Sequence, residues 1–363
     1  MSTESNTIEL KIDKQFLTAQ KFPYFSKPQI IGEYFVNKDR SIQIGRMAAK
    51  NLNDTPLRNP RGVSAPNFDL DAGFSAFDPK DPGERLEILQ KWCEKMAPAG
   101  GRLRKLLHGA EFFTWRGLLT KIGAAVYAAS GDTWRFRAFR IHGVVFMCEE
   151  ETEDKTRKME AQTDREKHMT YWGHKFEQYM TLDDGMDLPD TTQPVSTREE
   201  FATVIRTTLE CSQSNRRQPL ELFYSAEIDC LDRDGKYVEL KTNKGDLRGW
   251  FWTAGAKSLK WWLQSFLVAI DYLVVGHRDD HGIVTRVSSI QTAQLQKQSQ
   301  WYGGAAIRLI SQVLTQLSDF LPNENQACVV EFGGGDGENT IRFSRCSEDL
   351  CDFVPEEFRR KFW

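Results

Sequence analysis

The segment AEIDCLDRDGKYVELK, residues 226–241, constrains this chain more than any other. Glu227 and Asp229 are two apart, and so are Glu239 and Lys241. Both pairs sit in runs that read as strand, and strand residues two apart point to one face. Between them Asp232, Asp234 and Gly235 are turn formers. One economical hairpin uses a three-residue loop, Arg233-Asp234-Gly235, with Gly235 left-handed. That register sets Asp232 opposite Lys236, Asp229 opposite Glu239, and Glu227 opposite Lys241. Three acids and a lysine then share one face, and a slip of one residue disperses them. Burying four ionisable groups is costly unless they pair or bind a metal. The hairpin therefore reads as a support for a divalent metal held against a phosphate, or else as a surface hairpin with a cross-strand ion pair.

Other polar residues stand in apolar runs. Glu177 lies in YWGHKFEQYM, among Trp172, Phe176 and Tyr179, where a helix could supply a further carboxylate to a metal. Gln264 is alone among the apolar residues of KWWLQSF and shares a helix face with Lys257 and Lys260. Arg116 in FFTWRGLLTK carries a guanidinium suited to a forked grip on phosphate or carboxylate, or snorkels from an apolar face. Two patterns look like sites and are read as turns. VVEFGGGDGE at 329–338 lacks the helix and second strand that a nucleotide-binding loop needs. His277 and His281, with Asp279 and Asp280, fall in an expected exposed hairpin turn.

The 363 residues are 40% hydrophobic, with ten Trp, enough for a sizeable core. A net charge of −3 gives no global basic signature, so any nucleic-acid site must be a local cleft. No stretch approaches the roughly 20 apolar residues of a membrane span, so no membrane partner is expected. MSTESNTIELKIDKQF has no apolar core of a secretory signal. The seven cysteines are scattered without a CxxC and read as reduced thiols of an intracellular protein.

The fold class expected from the elements is α/β, or α+β, carrying an acid…acid-x-lysine constellation. Residues 1–8 are expected to be disordered and 9–363 to form a single domain. Periodicity predicts a helix within 82–96, a strand pair over 134–148 and a solvated, doubly charged excursion over 149–168. A helix runs through YWGHKFEQYM. Ser196 and Glu199 read as the capping box of another, reaching Leu209. Beyond the hairpin come a helix over 254–269, two strands around the histidine turn, a helix over 302–321 and a terminal strand, CVVEF.

TWRG, GHKFEQY, EIDC, VELK and KWWLQSF, in this order, resemble the DXO family of RNA 5′-end decapping and quality-control nucleases. The resemblance runs from about Phe22 to the terminal strand and implies a mixed-sheet nuclease core flanked by helices. Its motifs are an Arg, then Gly-Φ-x-Φ-Glu, Glu-Φ-Asp and Glu-Φ-Lys, with Φ apolar. Arg116, Gly173 to Glu177, Glu227 to Asp229 and Glu239 to Lys241 occupy them. His174 departs from the pattern, being polar where the family is apolar. The resemblance implies metal ligation by Glu177, Asp229 and Glu239 with the Leu240 carbonyl, and Glu227 acting on a second metal or through its water. It implies that Lys241 and Gln264 position the scissile phosphate and that Arg116 binds RNA near the 5′ end. Two Mg²⁺ or Mn²⁺ ions are the implied cofactors, with Asp229, Glu239 and Lys241 carrying the catalysis.

Implied activities are removal of incomplete caps, NAD caps or triphosphate, and stepwise 5′–3′ digestion. RNA 5′ ends are the expected partner, in the nucleus, with the cytoplasm as alternative. Two rivals remain at this level: a DNA nuclease on the same core, and a non-catalytic partner that stabilises a larger 5′–3′ exoribonuclease.

Overall fold

The computed structural model describes residues 6–58, 66–81, 83–98, 101–129, 131–212, 218–248, 256–333 and 339–362. In chain order the strands are β1 (Thr7–Lys11), β2 (Gln29–Val36), β3 (Ile42–Ile44), β4 (Asn51–Leu52), β5 (Phe68–Asp69), β6 (Phe112–Trp115), β7 (Trp134–Ile141), β8 (Val144–Glu150), β9 (Thr181–Leu182), β10 (Glu200–Leu209), β11 (Leu220–Glu227), β12 (Cys230–Leu231), β13 (Tyr237–Lys244), β14 (Tyr272–Arg278), β15 (Ile283–Gln291), β16 (Ala327–Phe332) and β17 (Thr340–Cys346). They form two sheets. The larger has the order β1-β17-β16-β7-β8-β6-β11-β10-β2-β3, and the smaller β5-β15-β14-β13-β12-β4-β9. Both mix parallel and antiparallel pairs.

Five helices bear on the site: α1 (Arg116–Ala124), α2 (Glu153–Glu160), α3 (Asp164–Met180), α4 (Ala256–Phe266) and α5 (Gly303–Phe320). Leu119 and Ile122 of α1, Leu259 and Leu263 of α4, and Ile310 and Leu314 of α5 are buried in one core. That core also takes Val145, Leu222 and Tyr224 from the larger sheet and Leu273 and Val275 from the smaller. The other face of the smaller sheet, through Leu240 and Val274, packs on Trp172 and Phe176 of α3. No helix among the described residues is long and apolar enough to cross a membrane.

Most elements lie where periodicity put them, including the β7–β8 pair, the β14–β15 pair and α5. The charge-dense stretch forms α2, which buries no residue, and the start of α3. The glycine run at 334–338 lies outside the described residues.

Four expectations are corrected. Ser196 and Glu199 do not cap a helix; Glu200–Leu209 is strand β10. Thr203, Val204, Ile205, Thr207 and Thr208 are β-branched and stiff at χ1, which favours a strand between two others. Thr7 and Ile8 are not loose but pair with Ser344 and Phe343 at the sheet edge. His277 is not in an exposed turn: it lies in β14, 6% exposed, with Nδ1 at Gly245 O and Nε2 at Ser288 Oγ. The fourth concerns the hairpin. Its register holds at Cys230 opposite Val238 and Leu231 opposite Tyr237, with Gly235 at φ 72°. Glu227, however, does not face Lys241. It ends β11 in the larger sheet, opposite Ala202. The chain crosses between sheets over Ile228 and Asp229, because Ile228 N–H is still held by Phe201 O while Cys230 already pairs with β13.

Candidate active site

The elements deliver their groups to the place where the sheets meet. β6 runs parallel to β11 with Trp115 beside Ser225, so Arg116 emerges one step beyond, at the Glu227 end. Asp229 sits in the crossing, and its Oδ2 accepts the Leu240 N–H at 2.5 Å. The N–H and C=O of one strand residue point the same way, so the Leu240 carbonyl also faces this side. Glu239 and Lys241 project from one face of β13, with Nζ 2.6 Å from Oε1. Arg116 Nη1 donates to the other oxygen, Oε2, at 3.1 Å, and to the backbone carbonyl of Gln264 at 3.4 Å.

Glu177 arrives from α3. That helix lies close on the smaller sheet because β14 has a glycine under Phe176: a Cβ on Gly276 would stand 2.5 Å from Phe176 Cε2. A second glycine, Gly282, gives way to Trp172 in the same manner. His174, one turn before Glu177, has Nδ1 3.2 Å from Glu177 Oε2.

The carboxylates repel one another. Burial, then Glu239 and Glu177, push the Asp229 carboxyl well above its usual range. Glu227 is open to a cavity yet walled by protein that weakens its hydration. That desolvation, then Glu200, push it up to about 7, with Lys80 opposing. Glu239 goes the other way: burial raises it, but Lys241 and Arg116 outweigh burial and hold it low. For His174 burial favours the neutral ring, and the hydrogen bond to Glu177 overrides it, raising its pKa.

Arg116, His174 and Glu227 line a cavity of about 1010 Å³, with Trp115, Phe77 and Lys80 on its walls. A second cleft, about 660 Å³, lies apart from these groups among paired charges such as Arg342 and Glu9, 3.0 Å apart. Its charges already satisfy one another, so the larger cavity is the place for chemistry.

Of the residues singled out from sequence, Arg116, Glu177, Glu227, Asp229, Glu239, Leu240 and Lys241 come together. Gln264 is half-buried on α4 and meets Arg116 through its carbonyl. Lys257 lies beyond Lys241, bonded to Asn243 Oδ1 at 3.0 Å. The sequence reading missed Lys80 and Glu200, whose ion pair at 2.8 Å stands beside Glu227. Glu200 was hidden by the expected helix, and nothing in the sequence marked Lys80. His174 was marked only as a departure from a motif.

The donor set suits a hard divalent cation, which takes carboxylate and carbonyl oxygens. Burial first and neighbouring carboxylates second raise Asp229 and Glu227, and a bound cation would offset both. Among the described residues no three acids, histidines or cysteines stand close enough to hold an ion as they are. Glu239 is turned to its two cations, Arg116 and Lys241.

Residues 26–359 match the family model described as RAI1 like PD-(D/E)XK nuclease. The chain belongs to this family. Asp229, then Glu239-Leu240-Lys241, follow the order acid, acid-x-lysine that the pattern's name spells out. The chain is 41% identical to the Caenorhabditis elegans decapping nuclease dom-3, over 98% of this chain and 90% of that one. It is 31% identical to the Drosophila melanogaster decapping and exoribonuclease protein Rai1, covering 85% and 84%. Candida albicans Rai1, solved with pU5 and Mn²⁺, shares the PD-(D/E)XK nuclease fold, with a TM-score of 0.74 at 17% identity, covering 94% and 96%.

Proposed function

We propose that this chain is a divalent-metal-dependent RNA nuclease that hydrolyses phosphodiester or pyrophosphate bonds at the 5′ end, acting as one domain. The observation that carries the reading is the convergence of Arg116, Glu177, Glu227, Asp229, Glu239 and Lys241, with Arg116 and Glu227 lining one cavity. Its decapping relatives and the manganese in the Candida albicans Rai1 structure support it.

Glu177, Asp229, Glu239 and the Leu240 carbonyl, with Glu227 alongside, would hold Mg²⁺ or Mn²⁺, and the ion would supply an activated water and neutralise the leaving oxygen. The chain's own groups do the rest. Lys241 offsets charge developing on the attacked phosphate. Arg116, freed from Glu239, forks the substrate phosphate. Gln264 lies at the edge of this grip, through the helix that carries it. Arg116 and Lys80 on the cavity lining supply locally the positive charge that the chain's net charge of −3 does not.

The capped, NAD-capped and triphosphate ends differ in what fills the cavity, and all three fall within this reading. Nuclear work rests on the resemblance alone. A second reading, a stabilising partner of a 5′–3′ exoribonuclease, has one observation in its favour. The acidic loop after α3 exposes Met186 and Leu188, 54% and 75%, which a partner could cover.

Hydrolysis of 5′-labelled RNAs with triphosphate, monophosphate, unmethylated-cap and NAD ends tests the reading, wild type beside Glu239→Ala, with Mn²⁺ or chelator. Metal-dependent cleavage lost in the variant supports it. No cleavage of any end by the folded wild type overturns it and favours the partner reading.

A further inference from the structure

Asp229 and Glu177 share a detail of their carboxylates. On Asp229, Oδ2 is taken by the Leu240 N–H at 2.5 Å. On Glu177, Oε2 lies 3.2 Å from His174 Nδ1. A carboxylate offers no hydrogen, so Nδ1 carries it and donates. Each acid is left with one oxygen tied by the protein.

The tie on Glu177 is built in. His174 and Glu177 are three apart on α3 and share a helix face. Phe77 backs the imidazole, ring centroids 5.9 Å apart and planes 22° from parallel. The ring lines the same cavity as Glu227. An apolar side chain at this position has no N–H, so both oxygens of the following glutamate stay available.

We propose that His174 makes Glu177 a one-oxygen ligand and thereby tunes the metal site toward small octahedral cations and against calcium. The inference rests on the nuclease reading above. Ca²⁺ takes six to eight oxygens and gains from carboxylates that bind through both. Mg²⁺ demands near-octahedral geometry and keeps several waters, so one oxygen from each acid suits it. Mn²⁺ shares that preference for oxygen ligands in an octahedral shell. His174 is a positioning residue: it touches Glu177, and its effect on the ion passes through that carboxylate.

The test is competition of Ca²⁺ for bound Mn²⁺, read by the Mn²⁺ electron paramagnetic resonance signal on the full chain. His174→Phe removes the donor and keeps a ring against Phe77; His174→Gln keeps a donor. The wild type is expected to hold Mn²⁺ against Ca²⁺. In His174→Phe the ratio of dissociation constants shifts toward Ca²⁺ by about 10-fold or more, the scale of losing a group that orients a ligand. In His174→Gln the ratio stays near wild type. A His174→Phe protein with wild-type melting and an unchanged ratio overturns this inference and leaves the nuclease reading standing. A folded wild type that binds no Mn²⁺ overturns both.

Discussion

Arg116 and Glu239 form a buried ion pair, Nη1 to Oε2 at 3.1 Å, with side chains 11% and 2% exposed. It ties the first residue of α1, set by the larger sheet, to β13 of the smaller one. Lys241 holds the other oxygen of Glu239, so one carboxylate answers two cations.

Breaking such a pair from one side leaves a buried charge behind, at a cost of about 3–5 kcal/mol. Arg116→Ala is expected near the low end, about 3 kcal/mol, because Lys241 still neutralises Glu239. The double variant Arg116→Ala/Glu239→Gln should lose less than the two single losses summed. Urea unfolding of the four proteins measures this, and strict additivity would show that the pair is not coupled.

Gly276→Ala should cost about 1–3 kcal/mol, since the new methyl overlaps the Phe176 ring and forces α3 outward. Glu177 rides on that helix. A shift near 1 Å at a reacting group costs on the order of a hundredfold in rate, so cleavage should fall further than folding. Thermal melting and single-turnover cleavage, taken together, separate the two losses. Cleavage at the wild-type rate would mean that α3 need not sit close.

Asp78 bears on the cavity wall through the chain that carries Lys80. Arg198 Nε donates to its Oδ1 at 2.8 Å and the Ser196 hydroxyl to Oδ2 at 2.9 Å. These bonds, the Arg198 one foremost, hold the carboxyl below its ordinary value of 3.8. A folded value below the unfolded one means that the stabilisation is full above 3.8 and is lost as pH falls through the folded value. Asp78→Asn should therefore melt below wild type near neutral pH, with the gap closing in acid. A gap that persists well below pH 3.8 would remove the ion pair as its cause.

Metal should stabilise the fold. With Mn²⁺ at about a hundred times its dissociation constant the gain is ~2.7 kcal/mol, reversed by chelator. Asp229→Asn should show little of that gain. Without metal it should unfold no more easily than wild type, because its charge is disfavoured by burial and by Glu239. Calorimetric melts with and without Mn²⁺ decide it. A full metal gain in the variant would take Asp229 out of the ligand set.

The acids and Lys241 were legible because strand alternation and turn chemistry act over a few residues. Gly235 fixes the loop, and the loop fixes the register at Cys230 and Leu231. That rule stops where the strand does. At Ile228 the chain changes sheets, a tertiary event with no local signature, so Glu227 was placed opposite Lys241 and belongs beside Ala202. β10 was misread because Ser196 and Glu199 copy a helix start, while its β-branched run gains only from pairing with β2 and β11. Lys80 joins the site from a loop more than a hundred residues away from Glu200, and no spacing rule spans that distance.

The crossing at Ile228 and Asp229 has a consequence for the making of this protein. Glu227 is set by strands that begin near residue 29, while Glu239 needs β14, which ends at Arg278. A nascent chain that reaches only to Glu227 holds Arg116, Glu177 and Glu227 but neither Glu239 nor Lys241, and the larger sheet itself still waits for β16 and β17. A centre built this way cannot assemble until synthesis has passed Arg278.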